Sequence, residues 1–558
     1  MKKYFISVLF VVFRVMCNAQ APTFQWAKQM GGNSFDEAKC VKVDNLGNVY
    51  TIGCFRDTVD FDPGVGFCNL FSLGNADIFI SKLDGLGNFV WAKRIGGALY
   101  DCGFSISIDV AGNIYVTGSY QGIVDFDPGA LSYNLSSSGG DDVFVLKLDS
   151  NGNFVWARSM GGTIADFAFF IGLDLNGNIY SVGNFSGISD FDPGIGVFNL
   201  TAPGGSSDIF ISKLNSSGDF VWAKQIEGNS IVEGYAGAID SLGNIYITGY
   251  NSGLTDFDPS VGTYNLNSID NDIFVSKIDS AGSFVWAKLM GGLDSDYGYS
   301  IVVDDFGNVY TTGNFYGTAD FDPNAGIYNL TAVAGVDVFI SKLDVSGDFV
   351  WAKQLGGNSD DFAWSITTDL NNDIYTTGEY AGTADFDPSI GVFNLMSPSS
   401  RNVFISKLSS LGDFIWAKEV GGLGTDIGRS IEVNSIGDVY TVGDFDGIGD
   451  YDPDGSVFNL STDGYSDVFV QKMSQPLLSV QEFNSNNNSI FLYPNPTTNN
   501  LTIETTKPTT ILIVDLLGQE LYNSKIEKSE TIDVSFLANG IYFVKDLKNG
   551  GSVKFAKQ

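Results

Sequence analysis

Fourteen aspartates stand in seven pairs, each pair split by one aromatic residue and followed by proline. They are Asp60/Asp62, Asp125/Asp127, Asp190/Asp192, Asp256/Asp258, Asp320/Asp322, Asp385/Asp387 and Asp450/Asp452. Carboxylates at i and i+2, with loop carbonyls beside them, suit a hard cation, and Ca2+ is the cofactor they would hold. The same residues also suit turn capping, with Asp accepting backbone N–H bonds and Pro fixing φ. Both readings stay open at this stage. There is no histidine, which excludes Ser-His-Asp and Cys-His catalysis and any His-ligated zinc. The acid–base chemistry that remains is a carboxylate pair, as in glycoside hydrolysis.

The aspartate pairs recur about every 65 residues, and so do Trp26, Trp91, Trp156, Trp222, Trp286, Trp351 and Trp416, each opening WAK or WAR. Within the copy from Gly103 to Gly162, alternating segments are separated by Asp-x-x-Gly-Asn and Gly-rich turns. That pattern predicts four antiparallel strands per copy, the unit of a β-propeller blade. The chain starts with a lone fourth strand, Phe24–Met30, and the last copy stops after its third strand, Val468–Met473. Pairing the two would remove two open sheet edges. The expected fold is therefore all-β: a seven-bladed β-propeller closed by the N-terminal strand, followed by a small Ig-like β-sandwich. The matching segments Ile108–Gly118 and Val338–Lys353 resemble the bacterial SBBP β-propeller repeat family. That resemblance covers roughly residues 23–473 and implies the fold, with little about activity.

A motif written into every blade is architectural, so a ligand site belongs where the blades differ. The second residue of each first strand is Lys39, Phe104, Phe169, Tyr235, Tyr299, Trp364 or Arg429. These seven form a candidate ligand rim, an aromatic crescent with a basic gap that could stack a sugar or hold an anion. Strand parity argues otherwise, because they alternate in step with Ile106 and Ile301 and would pack between blades. Further aspartates recur at Asp36, Asp101, Asp166, Asp296, Asp361 and Asp426, and at Asp77, Asp142, Asp208, Asp272, Asp337 and Asp467. One face should be densely acidic.

The 558-residue chain is 44% apolar and 17% charged, with 67 Gly and a net charge of −35. Such a charge repels nucleic acid and anionic lipid. Lys2 and Lys3, the apolar run at residues 4–13 and the small residues before Gln20 read as a signal peptide, residues 1–19, cut between Ala19 and Gln20. Losing Lys2, Lys3 and Arg14 takes the charge from −35 to −38. No later stretch is long and apolar enough to span a membrane. Of Cys40, Cys54, Cys68 and Cys102, Cys40 and Cys54 lie within reach across one hairpin, while the connectivity stays open.

Residues 474–489 read as a polar linker between the propeller (20–473) and a β-rich tail, 490–558. The tail resembles the type A sorting domain of the type IX secretion system. The resemblance rests on Pro494, Asn495 and Pro496 after Tyr493, on Asp515 to Gln519 with Gly518, and on Gly540-Ile541-Tyr542. It implies a periplasmic route to the outer-membrane surface or the medium, with the secretion machinery as partner. The expected function is a surface or secreted binding and scaffold module with an unassigned protein or glycan ligand. The alternative is a carboxylate-dependent glycan-active hydrolase.

Overall fold

The computed structural model describes residues 21–475, 490–515, 519–538, 540–548 and 552–557. The signal-peptide cleavage at Ala19/Gln20, most of the linker and Gly518 lie outside the described residues. Among those residues every regular element is a β-strand and none is a helix. They fall into two compact units on either side of residue 475.

The first unit is built of antiparallel, propeller-like repeats. In one of them Cys102–Ile108, Ile114–Tyr120, Asp142–Leu148 and Phe154–Gly162 pair in sequence order. Local chemistry sets the first hairpin. Asp109 Oδ1 accepts the N–H groups of Ala111 and Asn113, each at 2.9 Å, and Gly112 supplies φ of 81°. The fourth strand does not stop at its own repeat. Gly161 and Gly162 pair with Asp190 and Ser189 of the next one, tying successive repeats edge to edge.

The cores lie between repeats. One cluster joins Tyr50, Ile52 and Ile78 to Ile106, Val116 and Phe144 of the following repeat. Another joins Val41 and Phe79, near the start, to Val442, Val468 and Val470, near the end. Between them the N-terminal strand Thr23–Gly32 runs antiparallel to Asn459–Ser474, with Phe24 opposite Met473 and Met30 opposite Val468.

The tryptophan that marks the period has a fixed setting. Trp91 lies edge to face on Tyr50 at 6.2 Å, and Lys82 sits over the same Tyr50 ring at 4.8 Å. The Tyr50 hydroxyl donates to Asp44 of the hairpin turn at 3.1 Å. The same Trp–Tyr contact recurs at Tyr115–Trp156, Tyr180–Trp222, Tyr246–Trp286, Tyr310–Trp351 and Tyr375–Trp416. The motif locks turn to strand and is structural.

Cys40 and Cys54, within reach across one hairpin, do not pair. The disulfide joins Cys54 to Cys102, with Cα atoms 4.9 Å apart, and among the described residues Cys40 and Cys68 are unpaired. A bulge at Lys39 slips the hairpin, so Cys40 lies opposite Ile52 while Glu37 faces Cys54. Cys54 then meets the first strand of the next repeat.

The second unit has two antiparallel sheets. Ile490–Tyr493, Asn500–Thr505 and Ser529–Asp533 form one; Glu520–Ile526, Thr509–Val514, Gly540–Asp546 and Ser552–Lys557 form the other. Leu501 and Ile503 from the first share a core with Ile511, Val544 and Phe555 from the second.

Candidate functional site

Each first strand of the repeat unit carries a β-bulge near its start. In the second repeat, Gly103 lies opposite Gly118 and Ser105 opposite Thr117, leaving Phe104 unpaired. Lys39, Phe169, Tyr235, Tyr299, Trp364 and Arg429 are skipped in the same way. An extra residue resets the alternation and re-aims its side chain. Ile106 is therefore 1% exposed in the core between repeats, whereas Phe104 is half-buried and lines a cavity. The bulge ends the shared parity with Ile106 and Ile301, while ring contacts between successive bulge residues still pack one repeat against the next.

All seven bulge residues line one cavity of about 490 Å³. Their rings touch in order: Phe104–Phe169 at 5.2 Å, Phe169–Tyr235 at 5.8 Å, Tyr235–Tyr299 at 5.4 Å and Tyr299–Trp364 at 4.7 Å. The Arg429 guanidinium continues the arc, 5.6 Å from the Trp364 ring centroid. The residues two positions earlier add a second tier. Phe167, Tyr297 and Phe362 stack within 18° of Phe169, Tyr299 and Trp364.

The basic side chains at the cavity are already paired. Lys39 bonds Glu37. Arg429 lies 3.1 Å from Asp444, and Lys42 lies 2.6 Å from Glu432 across the two chain ends. Beside them, Arg401 meets Glu379 at 3.2 Å. Burial pushes the Asp444 and Glu379 carboxyls up, against the pull of Arg429 and Arg401. Burial also acts on Glu37, but the Lys39 and Arg429 charges outweigh it and hold that carboxyl below its ordinary value. Glu233 accepts the Tyr235 hydroxyl at 2.7 Å and has no basic partner among the described residues.

Sequence reasoning missed these acids and the outer tyrosines, although a signal was present. Counting six residues back from each Asp-aromatic-Asp-Pro motif gives Cys54, Ser119, Asn184, Tyr250, Asn314, Glu379 and Asp444. That second-strand position varies as freely as the bulge position beside it.

The aspartate pairs of the motif act as turn caps. Asp190 Oδ1 accepts from Asp192 N at 3.0 Å and Phe198 N at 2.8 Å, and Asp192 Oδ1 accepts from Gly194 N at 2.9 Å. The other repeats do the same: Asp60 and Asp62, Asp125 and Asp127, Asp256 and Asp258, Asp320 and Asp322, Asp385 and Asp387, and Asp450 and Asp452.

The remaining recurrent aspartates meet where one repeat joins the next. A Cβ built on Gly161 would lie 2.8 Å from an Asp142 oxygen and 2.9 Å from an Asp166 oxygen, so both carboxyls crowd this glycine. Burial first, and the neighbouring carboxylate second, raise Asp166 to about 7, Asp296 to about 8 and Asp361 to about 8. Among the described residues, the Oδ1 atoms of Asp142 and Asp337 find no donor. These acids are buried in the fold, and Asp361 Oδ2 closes its turn by accepting Gly357 N at 2.9 Å.

In the second unit, Asn495 bonds the last strand twice, donating to Lys554 O and accepting from Ala556 N, both at 2.9 Å. Pro494 and Pro496 flank it, and Gly540 opens the strand that carries Tyr542, whose hydroxyl donates to Ala538 O at 2.9 Å.

These features define an all-β protein of propeller-like repeats with a separate C-terminal β-unit. Residues 90–119, 221–258, 285–317 and 350–379 match the SBBP family, described as beta-propeller repeat, and residues 491–557 match the secretion system C-terminal sorting domain. The chain thus carries SBBP beta-propeller repeats and a C-terminal sorting domain. An uncharacterized WD repeat-containing protein, L264, of Acanthamoeba polyphaga mimivirus is 25% identical over 62% of this chain and 30% of its own length. Regulatory protein FlaEY of Caulobacter vibrioides is 27% identical over 22% of this chain and 13% of its own. The chain therefore spans less than a third of either relative. Among solved structures, the extracellular domain of a hybrid two-component system from B. thetaiotaomicron aligns over 93% of this chain and 86% of its own at 10% identity. Its TM-score is 0.18, too low to bear on the fold.

Proposed function

We propose that this protein is an exported binding and scaffold module. In this reading residues 1–19 are a signal peptide and residues 20–473 a seven-bladed β-propeller closed by the N-terminal strand. Residues 474–489 are the linker. Residues 490–558 form an Ig-like sandwich that addresses the chain, through the periplasm, to the type IX machinery and so to the cell surface or the medium. The strand Thr23–Gly32 alongside Asn459–Ser474 supports closure.

The observation that carries the binding role is the convergence of the variable positions. Repeats that keep one Trp–Tyr–Lys–Asp frame differ where their bulge residues meet around the cavity. A frame needed only for folding has no reason to concentrate its variation there. The test is capture on glycan and peptide arrays with the full chain. A ligand lost on Trp364→Ala supports the module; turnover of a captured glycan, abolished by a carboxylate substitution at the mouth, would instead favour the hydrolase. For export, deleting residues 490–558 should leave the protein in the periplasm; unchanged delivery to the surface would remove that part of the proposal.

A further inference from the structure

Resting on the binding role above, we propose that the cavity takes a neutral carbohydrate, engaged along the arc from Tyr235 through Tyr299 to Trp364, with Glu233 beside Tyr235 accepting its hydroxyls. Charge argues against an anion, and ring packing against a cation held by aromatic faces. An anion needs an uncommitted cation, yet Lys39, Lys42 and Arg429 each face a carboxylate of their own, and Glu233 has no basic partner among the described residues. The chain's net charge of −35 repels an anion from a distance as well. A cation would need aromatic faces set around an open cage. Here neighbouring rings touch, 4.7 to 5.8 Å between centroids, which leaves no room for a cation between two of them.

What remains is a run of aromatic rings with a tyrosine patch beside it. Tyr235, Tyr250, Tyr297 and Tyr299 close a ring of contacts of 5.2 to 6.0 Å, placing four phenols in one patch beside Glu233. Such a surface suits a polyol whose C–H face lies on rings while its hydroxyls reach fixed donors and acceptors. The ion pairs supply those groups preorganised, so little ordering is left to binding. A cavity of about 490 Å³ holds the end of a glycan, not a long chain.

The experiment is titration calorimetry of the full chain. One arm is gluco-, manno- and galacto-configured neutral oligosaccharides, and the other is oligogalacturonate and sialyllactose. A neutral sugar should bind, and Trp364→Ala should weaken it by roughly tenfold or more. Glu233→Gln should weaken it with an unchanged melting temperature, and Trp364→Phe, which keeps a ring, should retain part of the affinity. Preference for the acidic arm, or neutral binding that survives both Trp364→Ala and Glu233→Gln, overturns the proposal. Silence in both arms overturns it too. If a peptide then binds in a Trp364-dependent way, the module stands without the sugar; if nothing binds, both fall.

Discussion

Trp26 lies edge to face on Tyr440, with ring centroids 6.4 Å apart. The two residues come from opposite ends of the repeat region, yet they repeat the contact made by Tyr50 with Trp91 and by each later pair. Lys472 stands over the Tyr440 ring at 5.2 Å, as Lys82 does over Tyr50. The N-terminal strand thus supplies the last repeat with the tryptophan its own sequence omits.

Trp26→Ala should therefore destabilise the whole first unit, by about 2 kcal/mol. A cysteine pair at Ala27 and Gln471, which face each other across the strand pair, should cross-link on mild oxidation. Peptide mapping reads the bond. Failure to form it would mean that the ends do not meet in solution.

Stability should fall as pH rises through neutrality. Asp36, Asp296 and Asp361 are raised from 3.8 to about 8, chiefly by burial, so the folded chain holds extra protons between those values. The stabilising protons are fully present below about pH 4 and are lost as pH climbs to about 8. The melting temperature at about pH 5 should exceed that at about pH 8.5. Asp337→Asn should flatten the slope. Asp337 takes Val333 N and Gln354 Nε2 on Oδ2, at 2.9 and 2.6 Å, while Oδ1 has no donor among the described residues, so an amide there could donate to Asp361. Asn402 already stands at that position in the next repeat. A gain on the order of 1 kcal/mol at alkaline pH is expected. A steeper slope in this variant would contradict the assignment.

Asp57 has φ of 57°, at the position where the other repeats place Gly122, Gly187, Gly253, Gly317, Gly382 and Gly447, all with positive φ. A side chain there costs about 1 kcal/mol. Asp57→Gly should raise the melting temperature, and should also remove a negative charge that bears on buried Asp36. Calorimetry decides, and a lowered transition would show that the Asp57 side chain holds the loop.

Chelation separates turn caps from calcium at the Asp-aromatic-Asp-Pro loops. With both Asp190 N–H bonds and the Asp192 bond made within the loop, EDTA should leave the melting temperature unchanged. Asp190→Ala should cost about 1 to 2 kcal/mol through the lost caps. A transition lowered by EDTA and restored by Ca2+ would assign the loops to the metal instead.

Much of the molecule was legible in the chain because its determinants are local. The Asp109-to-Asn113 turn, the alternation of Ile106 and Ile108 and the tryptophan period each depend on neighbours a few residues away. The missing fourth strand of the last repeat was legible by counting. Tertiary structure decided the rest. A bulge exists only in the register between two strands, so nothing in the Phe104 segment alone said that Phe104 would leave the core face that Ile106 keeps. The Cys54–Cys102 bond and the Lys42–Glu432 pair bring together residues from different repeats, the latter from opposite ends of the first unit. Their separation was set by how the repeats pack, and with it the charge balance that decides what the cavity can hold.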